Sequence, residues 1–165
     1  MDSYNPDAWT AAFTAIAGSA AALTGLLFVA ISINLERILK GQGLIARAFE
    51  VLLLLVGVLA LATLLLMPGQ GTGNAAAEAI GVGAGLFGVL AYIHIRAPRR
   101  ALGVSPVNFA MRVVFDQLGP VLLIAGGVSL VLQNGGGLYL VVPALIAAMI
   151  AAIVGAWVLL VEILR

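Results

Sequence analysis

The chain has 165 residues, of which 63% are hydrophobic and 9% are charged, and its net charge is +1. Roughly a quarter of the residues in a soluble domain are charged, so this composition excludes a water-soluble globular fold. The basic residues form no cluster interleaved with aromatic residues, and we therefore expect no nucleic-acid binding. The chain has no cysteine, which excludes disulfide bonds, thiolate metal ligands and thiol nucleophiles.

Five apolar segments are long enough to cross a bilayer as helices of about twenty residues. In chain order they are residues 8–35, 45–67, 75–95, 109–132 and 138–164. The connections between them are short, which leaves no room for a separate soluble domain. The sequence therefore predicts an all-α fold, in which residues 1–165 form one polytopic transmembrane bundle of five helices in contact with the lipid bilayer.

Glycine and proline mark the ends of these segments. The first segment would reach about 42 Å as a helix, so we expect it either to tilt or to project from the membrane before Gly41 and Gly43 break it. Pro68 ends the second segment. Gly119 and Pro120 interrupt the fourth, and the sequence leaves open whether residues 107–118 span the membrane or lie at its surface.

Basic residues lie only in or beside alternate gaps between the apolar segments. They are Arg37, Lys40, Arg47, Arg96, Arg99, Arg100, Arg112 and Arg165. This is the positive-inside pattern of a multi-pass membrane protein. It predicts an N-out and C-in orientation, with the turns around residues 36–47 and 94–112 in the cytoplasm.

Six polar side chains lie near the cytoplasmic ends of the predicted helices. They are Asn34, Arg47, Glu50, Arg112, Asp116 and Glu162. Within one helix, Arg47 can pair with Glu50 and Arg112 with Asp116. Counted from the far helix ends, both acids lie about 25 Å deep in a core about 30 Å thick. A structural network joining the second, fourth and fifth helices is favoured, and an ion or proton pathway is the alternative.

Two helices carry stripes of small or hydroxyl-bearing residues. Thr10, Thr14 and Thr24 share one side of the first helix, where they could line a narrow pore or let a neighbouring helix approach closely. Packing is favoured, because these hydroxyls can bond to their own preceding carbonyls. Gly81, Gly85 and Gly88 lie along the third helix, and for this face we predict helix packing.

His94 is the only histidine in the chain. A metal site needs three or four ligands and no second His or Cys is present, so we expect an interfacial histidine at a helix end, no metal site and no cofactor. Beside it, Arg96, Arg99 and Arg100 form a cationic cluster. We expect this cluster to set the topology and to contact anionic lipid headgroups.

Three stretches of the chain resemble those of a group of small bacterial polytopic membrane proteins without an assigned activity. The stretches are Gly25–Leu35, Gly136–Pro143 and Ala156–Ile163, with the sequences GLLFVAISINL, GGLYLVVP and AWVLLVEI. The resemblance covers roughly the first and last helices. It implies a protein of the bacterial cytoplasmic (inner) membrane and carries no site residue, cofactor or activity.

The small-residue faces exceed what a five-helix monomer can use internally, which indicates a partner. We therefore interpret the chain as a non-catalytic integral membrane protein that acts through helix packing, as a homo-oligomer or as an accessory subunit of an inner-membrane assembly. The alternative is an oligomeric channel or a pathway for a small solute or ion, along the first-helix hydroxyls and the inner acids. An intramembrane enzyme is disfavoured, because neither a metal cluster nor a nucleophile with its base is evident.

The predicted orientation can be tested by cysteine labelling, because the chain has no cysteine of its own. Single cysteines at Thr72 and Gly136 should react with an impermeant reagent added outside intact cells, and a cysteine at Ala101 should not. Labelling at Ala101 from outside would invert or break the five-span topology.

Overall fold

A computed structural model describes residues 2–41, 43–96 and 105–164 of the chain. Two short 3-10 turns, Asp2–Tyr4 and Pro6–Trp9, precede the first long helix. The helices are α1 (Thr10–Ile33), α2 (Leu35–Lys40), α3 (Leu44–Leu64), α4 (Thr72–Arg96), α5 (Pro106–Leu132) and α6 (Leu138–Leu164). The described residues contain no strand. The prediction of an all-α bundle is confirmed.

Five of these segments are long and apolar enough to cross a membrane, as a multi-pass membrane protein requires. The first span ends at Ile33, and Asn34 separates it from α2, which carries the exposed ion pair of Lys40 with Glu36. The predicted break in the fourth segment is wrong, because α5 continues through Pro120. Residues 107–118 therefore extend the same helix as the apolar residues that follow them.

The long helices alternate in direction, and α3 lies at the centre in contact with α1, α4 and α6. The α4–α5 and α5–α6 pairs complete the bundle. Its core is almost wholly apolar, with Leu54, Leu90 and Leu145 no more than 1% exposed. We call one end of the bundle the basic end, defined by Lys40, Arg47, Arg96, Ser105 and Glu162, and the other the loop end, defined by Tyr4 and the turns at 65–71 and 133–137.

Glycines in α5 and α4 let the helices approach closely. A Cβ atom added at Gly119 would lie 2.7 Å from the Cβ of Ala148 on α6, and one added at Gly127 would lie 3.0 Å from the carbonyl oxygen of Ala76 on α4. On α4, Gly83 is the glycine that meets a neighbour, because its added Cβ would lie 3.0 Å from the carbonyl oxygen of Pro120. Contacts this close to a backbone exclude larger side chains.

Gly81, Gly85 and Gly88, which we expected to pack against another helix, lie on the exposed side of α4. No described atom lies within 4 Å of a Cβ built at any of the three. The expected packing therefore does not occur among the described residues, where Gly83 takes the inward position. A contact of this face with a second chain stays a prediction.

The loop end is fastened by hydrogen bonds between distant parts of the chain. The hydroxyl of Thr72 donates to the carbonyl oxygen of Tyr4 at 2.7 Å, and the backbone N–H of Gly136 donates to the Tyr4 hydroxyl at 3.3 Å. The backbone N–H of Gly137 donates to the Ser129 hydroxyl at 2.8 Å. These bonds join the N-terminal segment to the start of α4 and to the α5–α6 connection.

Replacing Gly119 with Leu should lower the free energy of unfolding by about 1–3 kcal/mol, because the new side chain overpacks the contact with Ala148. The matched change Gly85→Leu adds the same atoms to an open face of α4 and should alter monomer stability little. Denaturant titration in a mild detergent measures both. A Gly119→Leu protein as stable as the parent would contradict the close α5–α6 packing.

Candidate polar site at the basic end

Four ionisable side chains from three helices meet inside the basic end of the bundle. Nε2 of His94 on α4 lies 3.3 Å from Oδ2 of Asp116 on α5 and 3.6 Å from Oε1 of Glu50 on α3. The guanidinium of Arg112 donates to Oε2 of Glu50, and its Nε lies 3.7 Å from Oδ2 of Asp116. We call Glu50, His94, Arg112 and Asp116 the buried polar cluster.

The helix registers explain why these four residues meet. Leu86 of α4 packs against Gly57 of α3, and two helical turns nearer the basic end the same faces carry His94 and Glu50. On α5, Arg112 and Asp116 are one turn apart and point to the same side. The ring of Phe109 lies edge-on to the ring of His94, with 6.2 Å between their centroids, and packs beside the site.

Water is largely excluded from the cluster. Glu50 is 2% exposed, and His94 and Asp116 are each 8% exposed. Two carboxylates face one guanidinium, so the cluster carries one uncompensated negative charge when His94 is neutral. A buried charge is costly unless it is paired, and the cluster is therefore a place where a positive charge would be stabilised.

Two buried atoms of the cluster make no hydrogen bond in the described structure, Oε1 of Glu50 and Nδ1 of His94. Oε1 is the Glu50 oxygen that faces the imidazole, whereas Oε2 is held by Arg112. Buried carboxylate oxygens are normally satisfied by a partner. The cluster thus has unused capacity to accept a proton or to bind a cation.

A cavity of about 550 Å³ reaches the cluster from the basic end. Its polar lining runs from Ser105 and Asn108 at the exposed start of α5 to the buried carboxylates of Glu50 and Asp116. Arg47 and Glu162 also line it and pair with each other at 2.7 Å. The cavity is large enough to hold several water molecules beside the carboxylates.

Between this cluster and the loop end, the core of the bundle is apolar. Among the described residues, the next buried polar side chain is Ser129, which lies at the loop end and is bonded to its own connection. Along α5, Asp116 and Ser129 are separated by about 20 Å. Buried apolar residues such as Leu86, Leu90 and Leu123 fill the interval, so no buried polar path leads from the cluster to the loop end among the described residues.

The structure brings together most, but not all, of the inner polar residues considered above. Arg47 was expected to pair with Glu50, yet it pairs with Glu162, and Arg112 takes Glu50 instead. The expected proximity of Arg112 and Asp116 is present at 3.7 Å. Asn34 stays apart from the cluster, because its side-chain amide donates to the carbonyl oxygen of Ala30 at 2.9 Å.

The hydroxyl stripe of α1 does not line the cavity. Thr10, Thr14 and Thr24 each donate to a carbonyl of the preceding turn, at 2.7–2.8 Å. Thr10 and Thr14 are exposed on the outside of the bundle. Self-satisfied hydroxyls of this kind need no pore water. Packing of this stripe against another helix stays a prediction.

Of the proposed lipid-contacting cluster, Arg96 lies within the described residues. It is exposed at the end of α4, with its guanidinium carbon 5.2 Å from the centre of the Tyr92 ring. Arg99 and Arg100 lie outside the described residues. Headgroup binding by these arginines stays a prediction.

His94 is the residue that sequence reasoning misplaced. We expected it at the membrane interface, but it is buried against two carboxylates. Its position two residues before the exposed Arg96 pointed to the interface, whereas the turn of the helix directs its ring inward. The available signal was the four-residue spacing with Leu86 and Leu90, which places His94 on the apolar side of α4.

Comparisons of the chain with protein-family models, with curated proteins and with solved structures find no match.

Removing Arg112 alone should destabilise the protein strongly, because it leaves two buried carboxylates without their cation. We expect Arg112→Met to cost about 3–5 kcal/mol, and the double change Glu50→Gln with Arg112→Met to recover part of this loss. Denaturant unfolding in detergent measures both.

The control for this experiment is Glu36→Gln at the exposed pair with Lys40, which should cost less than about 1 kcal/mol. An Arg112→Met protein that unfolds no more readily than Glu36→Gln would show that the cluster does not depend on this guanidinium.

Proposed function

We propose that this integral membrane protein binds a cation, a proton included, from its basic end at the buried polar cluster. The observation that carries the proposal is the Glu50 carboxylate. It is 2% exposed, one of its oxygens makes no hydrogen bond, and it lines a cavity that is shared by other charged side chains and by apolar ones. With the orientation predicted by the positive-inside pattern, the cavity faces the cytoplasm of a bacterial inner membrane.

The charge balance favours binding over a purely structural role. In a network that only held helices together, positive and negative charges would be expected to cancel, as they do in the Arg47–Glu162 pair at the cavity wall. The cluster instead holds two carboxylates against one guanidinium, with the single histidine of the chain between them. Ionisable residues within membrane spans are costly and are usually functional.

The arrangement supports binding rather than conduction through a single chain. A conducting path needs polar or wetted surface across the whole bilayer, whereas apolar residues fill about 20 Å between the cluster and the loop end. Thr10 and Thr14 of α1, which a pore would use, are exposed on the outside of the bundle, and the half-buried Thr24 donates to a carbonyl of its own helix. An ion-conducting pathway would therefore need another conformation or an assembly of several chains.

The exposed glycine face of α4 supports a second proposal, that the protein acts within an assembly. Gly81, Gly85 and Gly88 leave open backbone surface on the outside of the bundle. Small-residue faces are the usual contact surfaces between membrane helices. A homo-oligomer or an accessory, non-catalytic subunit of a larger membrane complex would use this face.

Cation binding can be tested by the thermal unfolding of the purified protein in detergent across a panel of mono- and divalent cations and across pH. A ligand that binds the folded state alone at a hundred times its Kd adds about 2.7 kcal/mol of stability. We therefore expect at least one cation, or acidification, to raise the midpoint for the parent. Asp116→Asn should abolish the rise, because it removes one of the two cluster carboxylates.

The control variant is Glu78→Gln, which alters an acid near the loop end that is bonded to Gln70 and lies away from the cluster. It should retain the stabilisation. A parent protein whose midpoint is unchanged by every cation and by pH, or a stabilisation that Glu78→Gln removes and Asp116→Asn leaves in place, would refute the proposal.

A further inference from the structure

We infer that the buried polar cluster is a binding site for a divalent transition metal of the zinc class, coordinated by Nε2 of His94, Oε1 of Glu50 and Oδ2 of Asp116. This inference rests on the proposed cation-binding function and names the ion. The metal ligands come from α4, α3 and α5, so a bound ion would join three helices. It also departs from the expectation, drawn from the sequence, that a lone histidine cannot build a metal site.

The spacing of the three atoms is that of metal ligands. Zn²⁺ binds histidine nitrogen and carboxylate oxygen at about 2.0–2.2 Å, which places neighbouring ligands of a tetrahedral ion about 3.4 Å apart. In the structure Nε2 lies 3.3 Å from Oδ2 of Asp116 and 3.6 Å from Oε1 of Glu50. One ligand atom from each of the three residues lies within 4.8 Å of the other two.

The unused oxygen of Glu50 is the second, independent sign of a ligand. Oε1 is buried, makes no hydrogen bond and faces the imidazole. An ion seated between Nε2 and the two carboxylates would satisfy it. The carboxylates also line the cavity, so the fourth position of a tetrahedral ion can hold a water or a solute that enters from the basic end.

Arg112 contacts both carboxylates of the ligand set, and its Nε lies 3.7 Å from Oδ2 of Asp116, one of the proposed ligand atoms. Its guanidinium binds Oε2 of Glu50, the oxygen that points away from the imidazole, and so fixes the orientation of the carboxylate. Partners of this kind hold a ligating group in place and commonly tune metal affinity. Two carboxylates and one guanidinium leave a single negative charge, so a divalent ion would bring the cluster to a net charge of +1.

The chemistry of the ligands selects the class of ion. Imidazole nitrogen is a ligand for zinc and similar transition metals, whereas Ca²⁺ and Mg²⁺ prefer sets of six or more oxygen ligands. One nitrogen and two carboxylate oxygens therefore favour Zn²⁺, Co²⁺ or a related ion. A proton shared by His94 and the acids would neutralise the same charge, and the experiment separates the two.

The test uses the full chain in detergent, free of any histidine tag, because His94 is then its only imidazole. Co²⁺ added to chelator-treated protein should give visible absorption bands of a four-coordinate ion, and Zn²⁺ should displace them at one equivalent per chain. Mg²⁺ and Ca²⁺ should not. His94→Gln should weaken Zn²⁺ binding at least a hundredfold, since the loss of a mere outer partner of a ligand already costs about 10–100-fold.

Asp116→Asn serves as the second ligand variant, and both variants are compared with Glu162→Gln, which changes a cavity carboxylate outside the ligand set. Glu162→Gln should bind Zn²⁺ as the parent does. Zinc binding that survives His94→Gln, or binding lost equally in Glu162→Gln, would overturn the inference. So would a parent that is stabilised by a monovalent cation or by acid but not by Zn²⁺, and in that case the proposed cation-binding function stands. A parent that responds to no cation and no change of pH refutes both.

Discussion

The arrangement of side chains at the basic end depends on compensating the negative charge of the buried Glu50 carboxylate. A carboxylate that is 2% exposed cannot rely on water for its charge. It draws Arg112 across from α5, and the same guanidinium lies beside Asp116 one helical turn further along. Asp116 in turn meets His94 of α4. One costly charge therefore fixes the relative positions of α3, α4 and α5.

Close packing in the middle of the bundle makes this arrangement possible. Aspartate is short, so Asp116 reaches the imidazole of His94 only if α4 and α5 lie near each other. Gly83 on α4 allows this approach, because it faces the carbonyl of Pro120 one turn beyond Asp116. Lipid tails are as apolar as the helix surfaces, so the hydrophobic effect does little to bring membrane helices together. Small residues in the middle of the bundle therefore let the helices lie close together, and the ion pairs at the basic end depend on that short distance between helices.

Hydropathy and the distribution of basic residues were enough to predict the five spans, because a bilayer imposes one length and one composition on every crossing helix. The sequence could not show which helix faces meet. Arg47 has Glu50 within its own helix but pairs with Glu162, over a hundred residues away. This choice depends on the rotation of α3 against α6, and no local pattern encodes it.

Because the sequence does not show which helix faces meet, other predictions also differ from the structure. Glycines on α4 occupy several faces, and the contact with α5 selects Gly83 over Gly81 or Gly85. Pro120 was expected to interrupt its helix, yet α5 continues through it, because a buried proline can be held in line by the helices packed around it. His94 was judged by its nearness to Arg96, whereas two residues rotate a helix by about 200° and so place the buried His94 and the exposed Arg96 on opposite sides of α4.

The hydrogen bonds at Tyr4 have a consequence for the order in which the chain matures. Tyr4 is synthesised before α1, but its partners are Thr72, at the start of α4, and Gly136, which precedes α6. The bond to Thr72 can therefore form only after α1 and α3 have been made, and the bond to Gly136 only after α4 and α5 as well. Helix α1 itself can pack early, because its main neighbour is α3, whereas the segment that precedes α1 is fully fastened only when the α5–α6 connection is in place.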